Sequence, residues 1–301
     1  MLRGNFETAW RVCDRVLEAR RGLDCSTWPR HLQFLWDGAS LEGKHVLVHC
    51  YHGLGDTIQF VRLLTSLRAI ARRITLRVQP ALLDLLRGVN GVDDFLALDD
   101  SHADIERDID IELMEVLHAL RLSVVEIPST TPYLHVAPAR RSPTADGALR
   151  VGLAWRAGDW RPERSVPEAL LEPLRHIRSV QWFSLQYPSR PPPFAMPSLA
   201  CRDIRELGRR ICTLDLVICV DTMTAHLAGA LGAPAWTLLT HGCDWRWMKT
   251  RNDTPWYPTM RLYRQHRRGD WRRVLESVVA GLQAFTPARD TRSVGCTASS
   301  G

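Results

Sequence analysis

The stretch LDLVICVDTMTAHLAGALGAPAWTLL, residues 214–239, decides the fold. Its segment 216–220 is apolar and rich in β-branched residues, and its length suits a buried strand. Asp221-Thr222-Met223-Thr224 then places capping residues where the alanine-rich segment 225–231 begins a helix. Gly232 and Pro234 stop that helix, and 235–239 reads as the next buried strand. Strand, polar turn, helix, strand is a βαβ unit. In an open α/β sheet such a unit turns a helix N-terminus toward the carboxyl edge of its strands, where phosphorylated ligands bind. The backbone N–H groups of Thr222, Met223 and Thr224 are unclaimed there, and the helix dipole adds partial positive charge. The same spacing also suits Asp221 and Thr222 as plain caps of a core helix.

Around this unit lies an ordinary globular composition. The chain has 301 residues, 45% hydrophobic and 24% charged, enough for one large domain or two medium ones. No run reaches the length of a membrane span, and MLRGNFETAW lacks the apolar centre of a signal peptide. Cysteines stand at 13, 25, 50, 201, 212, 219, 243 and 296 with no CxxC pair, which argues for a reduced, cytoplasmic setting and against a zinc site. The net charge of +6 is nearly all arginine, since Lys44 and Lys249 are the only lysines. These arginines are interleaved with acids along the whole chain rather than clustered, so a nucleic-acid surface is disfavoured and anionic small molecules fit better.

Taken in order, residues 5–21 place Phe6, Trp10, Cys13 and Leu17 at helical spacing. An irregular lead-in follows to about 43. The strand 45–50 runs into Tyr51-His52-Gly53-Leu54-Gly55-Asp56-Thr57, and a helix is expected over 57–72. This is a second strand, glycine turn and helix. Strands are expected at 74–79, 95–98 and 108–111, with helices at 81–89 and 113–120. The polar segment 140–147 reads as a linker. Alternation resumes with strand 150–155, helix 168–178, strand 181–186, helix 204–212, the 214–239 unit, strand 261–264 and helix 271–285. The division expected is a lead-in over 1–43, α/β domains over 44–147 and 148–285, and a disordered tail over 286–301. Two Rossmann-like domains facing a cleft follow.

Three motifs coincide in this frame: HGLGDTIQFVRL (52–63), VGLAWRAGDWRPERSVP (151–167) and the 214–239 unit. Together they resemble the glycosyltransferase family 9 domain, typified by the ADP-heptose:lipopolysaccharide heptosyltransferases. With DWRWMKTRNDTPWYPTMRLYRQ (244–265), the likeness is closer to the branch in which this domain follows tetratricopeptide repeats. GNFETAWRVCDRVLEARR (4–21) looks like the vestigial end of such a repeat array. The resemblance covers about residues 30–285.

It implies the GT-B fold and an inverting, metal-independent transfer of a sugar, heptose in the typical members, from a nucleoside-diphosphate donor to a glycan, lipid or protein hydroxyl. It implies no cofactor, no nucleic-acid partner, and peripheral contact with the inner membrane. The acid after the first glycine turn, here Asp56, is the family's base. The cation that grips the donor diphosphate is lysine in the heptosyltransferases and aligns with Arg164. Asp221, Thr222 and His226 match the family's donor-binding D-T-x-x-x-H segment.

The chemistry agrees. Displacing a nucleoside diphosphate needs a deprotonated hydroxyl and a stabilised leaving group. Asp56 can take the proton, with Gly53 and Gly55 allowing a tight turn and close approach of substrate to backbone; an aspartate at a helix start is equally an ordinary cap. Thr222, Met223 and Thr224 can offer N–H groups, and Arg164 a fixed cation, with Arg156 and Arg161 as competitors for that role. His226, one turn beyond Thr222, either faces the phosphates or is a structural histidine. Trp245 and Arg246 follow the strand 235–239, where a loop can reach a base or sugar ring; Trp247 suits packing better. The lone DxD at Asp108-Ile109-Asp110 sits in strand-like alternation, and Ser165 and His176 lack a nucleophile elbow. A non-catalytic sugar-nucleotide-binding or scaffold descendant of the family is the alternative.

Overall fold

The computed structural model describes residues 1–99, 105–141, 147–159, 161–187 and 191–286. Among these, two wholly parallel sheets carry the chain. The first comprises β1 (His45–His49), β2 (Arg73–Val78), β3 (Asp94–Ala97) and β4 (Ile109–Glu112), in the order β3-β2-β1-β4. The second comprises β5 (Leu149–Ala154), β6 (Val180–Ser184), β7 (Leu216–Val220), β8 (Ala235–Leu239) and β9 (Met260–Arg264), in the order β6-β5-β7-β8-β9. β1, β7 and β8 are buried at every position, as parallel strands covered on both faces must be. β1 pairs its two histidines across the sheet: His45 Nε2 lies 2.9 Å from Thr75 Oγ1, and His49 Nε2 2.8 Å from Asp110 Oδ1.

The eight α-helices are α1 (Phe6–Arg20), α2 (Leu54–Phe60), α3 (Leu64–Arg68), α4 (Leu83–Leu86), α5 (Glu115–Ala119), α6 (Ile204–Ile211), α7 (Met223–Ala230) and α8 (Trp271–Ala284) among the described residues. Two departures from the sequence reading have physical causes. The helix expected over 57–72 starts three residues earlier and is broken by a 3₁₀ turn at Val61–Leu63 into α2 and α3. Gly53 is therefore the cap, and Asp56 sits in the first turn. The segment expected as a helix over 168–178 forms two 3₁₀ turns, Glu168–Leu170 and Glu172–His176. Pro173 has no N–H to give an α-helical bond and restricts the residue before it.

α1 is docked rather than free. Phe6 and Trp10 are buried, Trp10 stacks on His118 at 5.7 Å, and Asp14 reaches both His118 (2.9 Å) and Arg121 (2.5 Å). Residues 142–146 of the expected linker and 287–301 of the expected tail lie outside the described residues. No helix among the described residues is long and apolar enough to cross a membrane.

One core cluster runs behind both sheets. α2 packs on α7 across the middle. Phe60 at the end of α2 meets Trp256, from the segment before β9, edge to face at 5.4 Å. Arg62 deepens this junction. It is buried, donates to the Trp256 carbonyl, and lays its guanidinium over the rings of Tyr133 (4.0 Å) and Tyr257 (4.8 Å).

Candidate active site

The two strand–turn–helix junctions meet. β1 leads through His52-Gly53 into α2, and β7 leads through Asp221-Thr222 into α7, each at the carboxyl end of a central parallel strand. Gly55 is the point of contact: a Cβ there would stand 2.9 Å from His226 Cδ2 and 3.3 Å from Met223 Cα. The glycine is thus required by the approach of α2 to α7, and not by a left-handed turn. A cavity of about 780 Å³ opens beside this contact. It is lined by His52, Gly53, Gly55 and Asp56 from the first junction, by Asp221, Thr222, Met223, Thr224 and His226 from the second, and by Arg164 and Arg246.

Asp56 uses both carboxylate oxygens. Oδ2 accepts the Gly53 N–H at 3.0 Å, and Oδ1 accepts from Arg246 Nη1 at 2.5 Å, across 190 residues of sequence. Burial works to raise this carboxyl, but the Arg246 guanidinium and the Gly53 amide outweigh it and hold Asp56 below its ordinary value. Asp221 behaves oppositely. Burial raises it above the ordinary carboxylate range although Arg164 Nη1 lies 3.6 Å from Oδ2. Arg164, on the 3₁₀ turn Pro162–Arg164, is thereby fixed against the start of α7.

The Thr222 hydroxyl does not cap α7; it donates to the Val220 carbonyl at 3.2 Å. Helix geometry leaves the first-turn N–H groups of α7 without intrahelical acceptors. His226 is buried, with Nδ1 3.0 Å from the Tyr257 hydroxyl and its ring stacked on Trp247 at 5.3 Å. Burial, helped by Arg246, pushes it down to about 3, so it enters the site as a neutral ring. Trp245 is not on the cavity lining. It packs among Phe6, Phe60 and Trp256 at centroid distances of 6.1–6.3 Å. Arg156 and Arg161 also line the cavity, Arg156 near Asp159 (4.0 Å) and Glu168 (3.9 Å).

Two features escaped the sequence reading. Glu112, the last residue of β4, is buried, accepts the N–H groups of Tyr51 (3.2 Å) and Met114 (2.7 Å), and lies 3.7 Å from His52 Nε2. Burial raises it to about 8. Its position at the carboxyl end of a strand was the available signal. The Asp56–Arg246 pair had none, because nothing in local spacing links the two residues. The DxD carboxylates serve the sheet: Asp108 Oδ2 accepts the His45 N–H at 2.7 Å, and Asp110 holds His49 and Arg107.

No family model matches the chain. Protein FlbA of Caulobacter vibrioides is 23% identical over 300 residues, an alignment covering 83% of this chain and 48% of that protein. The chain therefore spans about half the length of this curated relative. Among solved structures, a glycosyl transferase family 9 from Veillonella parvula superposes with a TM-score of 0.52 at 12% identity, covering 84% of this chain and 92% of that one. E. coli heptosyltransferase WaaC with ADP gives 0.52 at 12%, covering 80% and 99%. E. coli ADP-heptose lps heptosyltransferase II gives 0.53 at 12%, again 80% and 99%. The protein has an α/β fold of parallel sheets shared with the family 9 heptosyltransferases.

Proposed function

We propose that the chain is a family 9 glycosyltransferase, of the branch that follows tetratricopeptide repeats. It transfers a sugar, heptose or a hexose, from a nucleoside diphosphate to a hydroxyl of a glycan, lipid or protein. The reading takes residues 44–147 as the acceptor-side domain and 148–285 as the donor-side domain of a GT-B fold, with α1 as a vestigial repeat. One observation carries it: a carboxylate, a fixed cation and an uncapped helix start, from motifs far apart in sequence, converge on one cavity. Asp56 removes the acceptor proton. The acceptor oxygen attacks the anomeric carbon from the face opposite the diphosphate, inverting it as the carbon–oxygen bond to the diphosphate breaks. The N–H groups of Met223 and Thr224, with Arg164 held by Asp221, take up the charge of the leaving diphosphate. The neighbour solved with ADP supports a nucleotide at this fold position.

A thermal-shift screen of the full chain against ADP, GDP, UDP and their sugar conjugates tests the reading. A bound nucleotide at a hundred times its Kd adds about 2.7 kcal/mol of stability; no shift with any of them removes the donor site. The engaged state of Asp56 favours, as second reading, a sugar-nucleotide-binding protein without turnover. Nucleotide binding with no product on any hydroxyl acceptor would select it.

A further inference from the structure

We propose that Arg246 is a transferable counter-ion: it leaves Asp56 for the donor diphosphate, so that the base is unmasked only once the donor is seated. The inference rests on the reading of the cavity as a nucleoside-diphosphate site. Its starting point is geometric. With Gly53 N–H on one oxygen and Arg246 on the other, each Asp56 oxygen already shares one of its two lone pairs with a donor, one of them a cation. A base held in this way is weakened.

Arg246 is free to exchange only at its outer nitrogens, because Nε lies 3.0 Å from Asp244 Oδ1 while Nη1 holds Asp56. Its backbone is anchored at both ends: the N–H donates to Asp244 Oδ1 at 3.0 Å, and the carbonyl accepts from Trp256 Nε1 at 3.0 Å. The side chain lies in the same cavity lining as Arg164 and the start of α7. A diphosphate bound there carries more negative charge than one carboxylate, offers several acceptor oxygens, and competes in a site where both groups are largely dry. The other titratable groups facing Asp56 are His52 on its own turn, Glu112 at the end of β4, and His226 on α7. His226 is neutral at physiological pH, and burial lowers His52 as well. Arg246 is therefore the charge that decides how basic Asp56 is. Its departure supplies the change a base needs, at the moment the electrophile arrives.

The test follows the Asp56 carboxyl itself. The full chain, labelled at aspartate Cγ with ¹³C, is titrated by NMR from pH 7 to 3 with and without inorganic pyrophosphate, and Asp56→Asn assigns the resonance. Pyrophosphate binding is followed separately by thermal shift. In the free protein the Asp56 midpoint lies below the ordinary carboxylate range, and pyrophosphate raises it by about one pH unit or more. In Arg246→Gln the midpoint is already high. There pyrophosphate adds only direct repulsion between like charges, so the ligand-linked rise shrinks by about half or more. Should Arg246→Gln fail to fold, Arg246→Lys, which keeps the charge on a single ammonium that cannot hold Asp244 and reach a second anion as the guanidinium does, is expected to show a smaller rise than wild type. Pyrophosphate that stabilises the protein while leaving the Asp56 midpoint in place, or an equal rise in wild type and variant, overturns the exchange and leaves the diphosphate site standing. Pyrophosphate that does not bind overturns both.

Discussion

Gly55 and His226 touch: a methyl group added to the glycine would press on the imidazole edge at 2.9 Å and on the backbone of Met223. The two helix starts that line the cavity are thus spaced by an absent side chain. Gly55→Ala forces α2 and α7 apart and costs about 1–3 kcal/mol, as overpacking does. Gly53→Ala is the control. Its backbone is extended at φ −68°, and its added Cβ would meet only the Asp56 carboxylate at 3.0 Å, so the loss stays below that of Gly55→Ala. Chemical denaturation of the two variants measures the difference; equal losses would sink the spacing argument.

Asp56→Asn separates the base from its structural duties. A cap alone would tolerate the amide. Here the carboxylate also neutralises a buried guanidinium, so the variant loses about 1–3 kcal/mol of stability. Turnover on the true acceptor falls by ~10²-fold or more, because the amide accepts no proton. Transfer at the wild-type rate would place the base elsewhere.

Arg164→Ala weakens nucleoside-diphosphate binding by about 1.5–3 kcal/mol, the loss expected for a charged hydrogen-bond partner. Arg161→Ala, which leaves Arg164 seated on Asp221, weakens it much less. Isothermal titration calorimetry ranks the two, and equal affinity in wild type and Arg164→Ala would dismiss Arg164 as the phosphate cation.

Stability depends on pH through Glu112 and His226 in opposite directions. Glu112 is raised to about 8 in the fold against about 4.5 unfolded, so its contribution is complete below the unfolded value and disappears as pH rises through 8. His226 is depressed to about 3 against 6.5, so acid protonates the unfolded chain first and stability falls from pH 6.5 toward 3. Glu112→Gln keeps one acceptor oxygen, loses the other to an amide NH2, and cannot ionise. Its Tm should therefore fall less than wild type between pH 5 and 8. Parallel curves for the two proteins would show that Glu112 does not titrate in that window.

Turnover should survive EDTA. The motive is that the DxD carboxylates are committed to the first sheet, Asp108 to His45 and Asp110 to His49 and Arg107. Activity lost on chelation and restored by Mn²⁺ would contradict this.

The strands were legible because parallel, doubly covered strands are written as short apolar runs, as 216–220 and 235–239 are. The helix starts at 54 and 223 were legible within three residues from glycine and threonine signals. Segment 168–178 misled because its apolar spacing is helical while Pro173 forbids the hydrogen bonds. At the site, local motifs pointed to Asp56, Arg164 and the 221–226 turn. They were silent on what each residue touches. Arg246 met Asp56 from 190 positions away, and Trp245, its neighbour, turned into the core. Pairings of that kind are made where segments distant in sequence pack together, here α2 against the 3₁₀ turn Trp245–Trp247, and they leave no sequence-local trace.

Arg62 pins the junction between the two sheets. Its guanidinium is clamped between two tyrosine faces and the Trp256 carbonyl, right where α2 meets α7. Pulling the two sheets straight apart would strip a cation of these partners in a dry interior, which is costly. One side chain just past the end of α2 thus works as a rivet, and the segments that carry Tyr133, Trp256 and Tyr257 are tied through it to the helix that bears Asp56.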